Sequence, residues 1–291
     1  MSTVARLRAL VAVADSGSVR EAARRLTVTE SAVSAALSAL AKEVRVPLVE
    51  RQGRGLRLTG PGRAYAGYAR QILGLHEEAL AAARSGPDAE RGRVRVAAVT
   101  TAGEHLLPSA LASFLGFHPG VDLRLEVGSS ERMWAMFTAR EADLVIGGRP
   151  PAHVADAVIT ATLPNLLVVV AAPAVADRFD LAATRWLQRE AGSATRAHGE
   201  ALLSGLEASP PRLTLGSNGA VIAGAVAGLG ATLVPREAVR QHLRGGGLTE
   251  IPVPGTPLRR PWCAVTHPEP PAAALLVRHL VAREGWRPKV K

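Results

Sequence analysis

The chain has 291 residues, 47% hydrophobic but only 3% aromatic, so it is long enough for two or three domains and their cores must be aliphatic. It has no run of about 18 uncharged apolar residues, which argues against a membrane span. Its single cysteine, Cys263, excludes an internal disulfide and suits a reducing, cytoplasmic setting. The net charge of +10 is unevenly placed: residues 1–70 hold 12 Lys/Arg against 5 Asp/Glu, whereas the other 221 residues hold 23 against 20. A basic N-terminal quarter on a nearly balanced body predicts a polyanion-binding module joined to something else.

MSTVARLRALVAVADSGS carries Arg8 and Asp15 in an apolar run, which fits an amphipathic helix better than a signal peptide. Val4, Leu7, Leu10, Val11 and Ala14 share one helical face, and Gly17 is its stop. Ser18 and Glu21 have the spacing of a capping box, opening a helix that buries Val19, Ala22, Ala23 and Leu26. A third helix starts near Thr29, with Val33, Ala36, Leu37, Leu40 and Val44 as its apolar stripe. Three short helices with a tight turn before the third form a helix-turn-helix pattern. In VPLVERQGRGLRLT, two extended pieces flank Gly53 and Gly55 and predict a hairpin or wing. Gly62 to Arg84 is a long helical segment with Tyr65, Tyr68, Ala69, Ile72 and Leu75 on one side, and SGPDAERG is a polar linker.

Beyond the linker the rhythm changes. RVRVAAV, VDLRLEV, DLVIGG, LLVVVAAP, RLTLGS, ATLVP and WCAVTH are strand candidates separated by helical pieces, and AAALLVRHLVARE is a last helix. The alternation predicts parallel α/β sheets, and about 200 residues suit two α/β lobes with a cleft between them.

The third helix raises a question of chemistry. Its face opposite the apolar stripe carries Ser31, Ser34, Ala35 and Ser38, small side chains where a solvated helix would show Glu, Lys and Arg. Such a surface can enter the major groove: serine hydroxyls meet base edges and an alanine methyl meets thymine. Ser18, Thr29 and Glu30 adjoin it, and Lys42, Arg45, Arg51 and Arg54 can reach phosphates. The competing reading is an alanine-rich helix buried on both faces.

LRALVAVADSGSVREAARRL, VTESAVSAALSAL and VPLVERQGRGLRLT resemble, in order and spacing, the N-terminal signature of the LysR-type transcriptional regulators. That family commonly shows Gly-Ser after its first helix, Ala-Ala-x-x-Leu in its second, Thr-Gln-x-Ala-x-Ser opening the recognition helix and Pro-Leu-Phe-x-Arg in the wing. The resemblance implies an α/β protein with an N-terminal winged helix-turn-helix (1–60), a linker and dimerisation helix with hinge (61–92) and a periplasmic-binding-protein-like effector domain (93–291). Lobe I would span about 93–163 plus 266–291, and lobe II about 164–265. It also implies a regulator without catalytic activity, metal or cofactor, located in the cytoplasm and not on a membrane. Its partners would be double-stranded DNA, a small effector, further copies of itself in dimers or tetramers, and RNA polymerase. TTAGEHLLPSAL, EVGSSERMWAMF and DLVIGGRPP are similar to carbon-fixation operon regulators, which sense phosphorylated or nucleotide metabolites.

This sequence departs from the family pattern at Glu30 (usually Gln), at Ala41 and Val49 (commonly Glu and Phe), and at Gly60-Pro61, which interrupts the usual start of the linker helix. A carboxylate at position 30 can accept from cytosine N4, whereas glutamine would read adenine. The alternative is a capping box, Thr27 to Glu30, with Glu30 bonded to backbone.

In open α/β lobes, ligands sit at the carboxyl ends of strands, near helix N-termini. The hydroxyl- and glycine-rich turns there supply Thr100, Thr101, Ser129, Ser130, Gly148 and Arg149 in the first lobe, and Ser193, Thr195, Ser217 and Asn218 in the second. These donors suit an anionic effector, with Arg149 and Arg196 as sources of charge, or they are ordinary helix caps. Against an enzyme, the chain has no H-E-x-x-H, G-x-S-x-G or P-loop motif, and its histidines lack metal-ligand spacing. A secreted solute-binding protein would lack the basic helix-turn-helix, and an architectural DNA binder would not need two lobes.

Overall fold

The computed structural model describes residues 2–52, 55–85, 92–154, 156–268 and 271–289. The chain divides into two compact units.

The first unit opens with α1 (Thr3–Ser16), α2 (Val19–Leu26) and α3 (Glu30–Val44). Gly17 ends α1 in the left-handed region (φ 65°), its N–H donating to Val13 O. Ser18 caps α2, its Oγ accepting from Glu21 N–H at 3.4 Å. Only half of the predicted box forms, because the Glu21 carboxylate turns to Arg24 instead. Thr27 takes the left-handed C-cap of α2, and Thr29 is the N-cap of α3. Leu7, Leu10, Val33, Leu37 and Leu40 make the aliphatic core, as the 3.6-residue stripes predicted, and Leu48 ahead of the wing joins them.

The wing follows as β1 (Val49–Gln52) and β2 (Gly55–Leu58), antiparallel, with Gln52 opposite Gly55. Helix α4 (Gly60–Ser85) then starts two residues earlier than expected. Gly60-Pro61 does not interrupt it. Thr59 Oγ1 accepts from Gly62 N–H at 3.0 Å, and Pro61 occupies the first turn, where its missing N–H is not needed. The expected single apolar side of α4 is in fact two stripes. Tyr65, Ala66 and Ala69 pack on the three-helix core, whereas Tyr68, Ile72 and Leu75 are exposed. The ion pairs Arg70–Asp15 and Arg8–Glu77 hold α4 along α1.

The second unit contains two lobes. The first is a six-stranded sheet in the order β14-β6-β13-β5-β3-β4, built from β3 (Arg93–Val99), β4 (Asp122–Gly128), β5 (Leu144–Gly147), β6 (Val158–Leu163), β13 (Trp262–Thr266) and β14 (Arg287–Pro288). One face packs on α5 (Leu107–Phe117) and α11 (Pro271–Arg283) through Leu107, Phe114, Leu276 and Leu280; the other packs Met133, Trp134 and Phe137 of α6 (Ser130–Thr138). A π-helical turn, Ala102–Leu106, leads into α5.

The second lobe is built on β7 (Leu166–Ala171), which pairs antiparallel with β10 (Thr232–Pro235), β11 (Thr249–Ile251) and β12 (Leu258–Arg259). Beside it lie β8 (Trp186–Arg189) and β9 (Arg212–Leu215), a parallel pair joined to the neighbouring backbone at Trp186 and Ala231. Helices α8 (Ala194–Gly205) and α9 (Asn218–Val226) belong to this lobe, as do the short α7 (Pro173–Ala176) and α10 (Arg240–Arg244).

Two expectations change here. The sheets are mixed rather than parallel: β3 runs parallel to β4 and β5, but β13 is antiparallel to both β5 and β6. The cause is direction of entry. Strand β13 returns from the second lobe and enters the first sheet from the cleft, whereas β3, β4 and β5 end there. For the same reason Trp262–Thr266 belongs to lobe I, so the lobe boundary lies near 260–261 and not at 265. Both crossovers are tied together: Asn165 Nδ2 donates to Arg260 O at 2.9 Å, and Arg260 N–H donates to Asn165 O at 3.0 Å.

The entry into α4 is a test of packing. A Cβ on Gly62 would lie 1.8 Å from the Leu48 carbonyl oxygen, whereas one on Gly67, also in α4, would meet nothing within 4 Å. Gly62→Ala is expected to destabilise the helical unit by about 2 kcal/mol or more, and Gly67→Ala to stabilise it by roughly 0.5–1 kcal/mol. Urea unfolding followed by far-ultraviolet circular dichroism checks both.

Candidate functional site

On the first unit, α3 presents Glu30, Ser31, Ser34, Ala35 and Ser38 to solvent while Val33, Ala36, Leu37 and Leu40 are buried. Thr29 Oγ1 accepts from Ala32 N–H at 3.2 Å and shares a 2.9 Å hydrogen bond with Ser31 Oγ. The buried-on-both-faces alternative is thereby excluded. The capping box from Thr27 to Glu30 is absent as well. Glu30 is the first residue of α3 rather than its third, and its carboxylate has no hydrogen-bond or ion-pair partner among the described residues.

Ser34 and Ser38 border a groove of about 490 Å³ together with Arg45, Val46, Val49 and Leu56. Ala41 also lines it, so two positions with smaller side chains than the family pattern, 41 and 49, leave this groove open. Lys42, Arg45 and Arg51 are exposed around the face. Ser18 is half-buried as the α2 cap, and Arg54 lies outside the described residues.

In the second unit, a cavity of about 400 Å³ lies where strands of both lobes end. Its lining includes Thr100, Thr101, Ser129, Ser130, Gly148, Arg149, Ser193 and Thr195, so eight of the ten expected residues come together. Three helix starts face it: the turn after Thr101, α6 behind Ser129, and α8 behind Ser193. Ser129 Oγ accepts from Arg132 N–H at 3.3 Å and Ser193 Oγ from Arg196 N–H at 3.4 Å. Capping and cavity lining are therefore one arrangement, not alternatives. The serine oxygens satisfy one first-turn N–H each, and Glu131 N–H donates to Gly192 O at 3.4 Å.

Ser217 and Asn218 are not in this lining. Ser217 caps α9, accepting from Ala220 N–H at 3.1 Å, and Asn218 is fully buried. Among the described residues, strand β9, which leads into them, pairs with β8 alone, on its outer side, so its turn falls away from the cleft. Arg196 is also outside the lining and pairs with Glu200 at 2.8 Å.

Four lining residues carry chemistry that periodicity did not reveal: Arg189, His198, Arg259 and Arg260. Arg189 is 6% exposed. Its Nε and Nη2 each donate to the Glu190 carboxylate at 2.7 Å, and Nη2 also reaches Thr100 Oγ1 across the cleft at 3.5 Å. The Arg189 hydrogen bonds hold the Glu190 carboxyl below its ordinary value. The lining thus holds four arginines and one histidine, and no Asp or Glu among the described residues. Arg149, Arg259 and Arg260 have no carboxylate within ion-pair distance among those residues.

A winged helix-turn-helix and a two-lobed α/β unit with a basic ligand cavity define a transcriptional regulator with an effector domain. The comparisons agree. Residues 4–63 match the bacterial regulatory helix-turn-helix protein, lysR family, and residues 87–285 match the LysR substrate binding domain. The chain belongs to the LysR family of transcriptional regulators. The HTH-type transcriptional regulator CfxR of Cupriavidus necator is 34% identical over 268 residues, covering 89% of this chain and 84% of that protein. The relatives include a RuBisCO operon transcriptional regulator, in keeping with the finer resemblance. Full-length CbnR, solved with its target DNA, shares the fold: TM-score 0.66 at 23% identity, over 97% of this chain and 99% of that one. The CcmR regulatory domain of Synechocystis PCC6803, solved in complex with 2-PG, is 26% identical with TM-score 0.60, over 65% of this chain and 96% of that one.

The Arg189–Glu190 pair has a pH signature. A carboxylate held below its ordinary 4.5 stabilises the fold above that value, and the contribution is lost as pH falls through the lowered one. The stability gap between the wild-type chain and Glu190→Gln is expected to be full at neutral pH and to close progressively below 4.5. Urea midpoints measured across that range check it.

Proposed function

We propose that the chain binds double-stranded DNA through α3 and its wing, and that a small anionic metabolite held between the two lobes modulates its activity. On the DNA side, Thr29, Glu30, Ser31, Ser34, Ala35 and Ser38 face base edges, while Ser18, Lys42, Arg45, Arg51 and Arg54 contact the backbone. On the effector side, the observation that carries the reading is the charge of the lining. Cationic side chains and helix N-termini surround a cavity that offers no carboxylate among the described residues, which disfavours a cation and favours carboxylate or phosphate. The complex of a related regulatory domain with 2-PG supports a small effector in this fold. Thr100, Thr101, Ser129, Ser130, Ser193 and Thr195 supply neutral donors, and Arg149, Arg189, Arg259 and Arg260 supply charge.

The exposed stripe Tyr68, Ile72 and Leu75, at spacings of four and three on α4, is an apolar surface that a second copy of the helix would cover. A dimer through α4 would place two helix-turn-helix units on successive major grooves, roughly 34 Å apart. Pairing of dimers into tetramers, contact with RNA polymerase and a cytoplasmic location complete the proposal.

Two measurements test it. Gel shifts of the full chain on its own upstream DNA should show specific retention that weakens steeply with salt, and Lys42→Ala should reduce the log–log salt slope by about one without changing sequence preference. Thermal unfolding with phosphorylated or carboxylated small metabolites should show a saturable rise in midpoint that their neutral parents do not give and that Arg149→Glu abolishes. Equal stabilisation by neutral and anionic compounds would refute the anionic reading.

A further inference from the structure

We infer that Glu30 is a base-reading residue that selects cytosine at one position of each operator half-site. The inference rests on the proposed entry of α3 into the major groove and names what one of its residues recognises there.

The argument starts from what Glu30 does not do. A capping glutamate sits at the third helical position and bonds back to the cap; here that position is Ala32, and Thr29 Oγ1 already satisfies its N–H. No arginine or lysine among the described residues lies within ion-pair distance of the Glu30 carboxylate, although the unit is rich in arginine. Glu50, Glu43 and Asp15 on the same unit all pair with arginines, as does Glu21. Glu30 stands exposed at the leading end of the helix, beside the Thr29–Ser31 hydroxyl pair.

In the free protein, the α3 N-terminus favours this carboxylate. Against DNA that balance reverses, because the phosphates repel it. A carboxylate at the leading end of a groove-reading helix is tolerated only opposite a hydrogen-bond donor. Of the four bases, cytosine alone presents a major-groove donor, N4–H, with no acceptor on the same edge. Adenine sets N7 beside its N6 donor, guanine offers only acceptors, and thymine an acceptor and a methyl group. Glu30 therefore accepts from cytosine N4 and rejects the other three bases by repulsion or by loss of the bond.

Selection of bound sequences from a randomised duplex pool, run in parallel with the full-length wild-type chain, Glu30→Gln and Glu30→Ala, tests the assignment. Wild type should enrich a motif with one C·G pair per half-site that changes among the variants. Glu30→Gln should move that position to A·T, with roughly ten- to a hundredfold weaker binding to the wild-type motif. Glu30→Ala should lose preference there and keep it elsewhere. Circular dichroism and low-salt binding to random DNA, unchanged or stronger in both variants, show that α3 is intact. Identical motifs for wild type and Glu30→Gln would overturn the assignment while leaving the DNA reading standing. No enriched motif with the wild-type chain would overturn both.

Discussion

Strand direction is the constraint on which the effector unit depends. The chain passes from one lobe to the other twice, at 164–165 and 260–261, and both passages lie on the same side of each sheet. Any strand that leaves a lobe must therefore end at that side, and any strand that enters must begin there. Strands β3, β4 and β5 end at the cleft, and β3 and β4 turn into helices there, so helix N-termini and hydroxyl-bearing caps collect around it. Strand β8 ends there with Arg189, and β12 with Arg259. The positive lining of the cavity follows from connectivity first and from residue choice second. The reciprocal hydrogen bonds between Asn165 and Arg260 then tie the two passages to each other, so that they behave as one two-stranded joint.

The first unit obeys a different rule, the economy of small side chains. Its core is made of Leu, Val and Ala from the four helices and from Leu48, and the backbones come close enough that Gly62 meets the Leu48 carbonyl directly. That contact positions α4 against the base of the wing. Helix α3 can then turn a low-relief face of serines and alanine outward beside Glu30, because Val33, Leu37 and Leu40 bury its other face.

Much of this was legible in the sequence wherever a periodic stripe or a local signal was present. The 3.6-residue spacing in α1 and α3, the Ser18 and Gly17 caps and the glycine-flanked hairpin are local properties, and the structure realises them within a residue or two. The strand-end turns placed eight of the ten expected residues in the lining for the same reason. The failures are all non-local. Strand β8, WLQR, is buried at every position, so it shows no alternation, and Arg189 went unnoticed with it. The antiparallel partners of β7 lie 60 or more residues downstream in the chain, and no local pattern announces them. Ser217 and Asn218 carry the right residue types at the end of the wrong strand, an edge that only the assembled sheet reveals. Glu30 was ambiguous because a capping role and a reading role use the same spacing; the position of the N-cap, one residue before it, removes the capping role.

The Arg189–Glu190 pair also bears on how the cavity discriminates between ligands. Arg189 is already immobilised by its neighbour, so engaging it would cost little rotamer freedom, whereas Arg149, Arg259 and Arg260 are exposed and would have to be ordered. With the proposed anion in the cavity, the rigid cation would offer the same geometry to every anion of suitable size, and the exposed ones would close only on a ligand with enough charged groups to hold them. A monoanion and a polyanion would therefore differ mainly in how long they stay, not in how fast they arrive. Residence time, not encounter, would then separate an effector from the many simple anions of the cell.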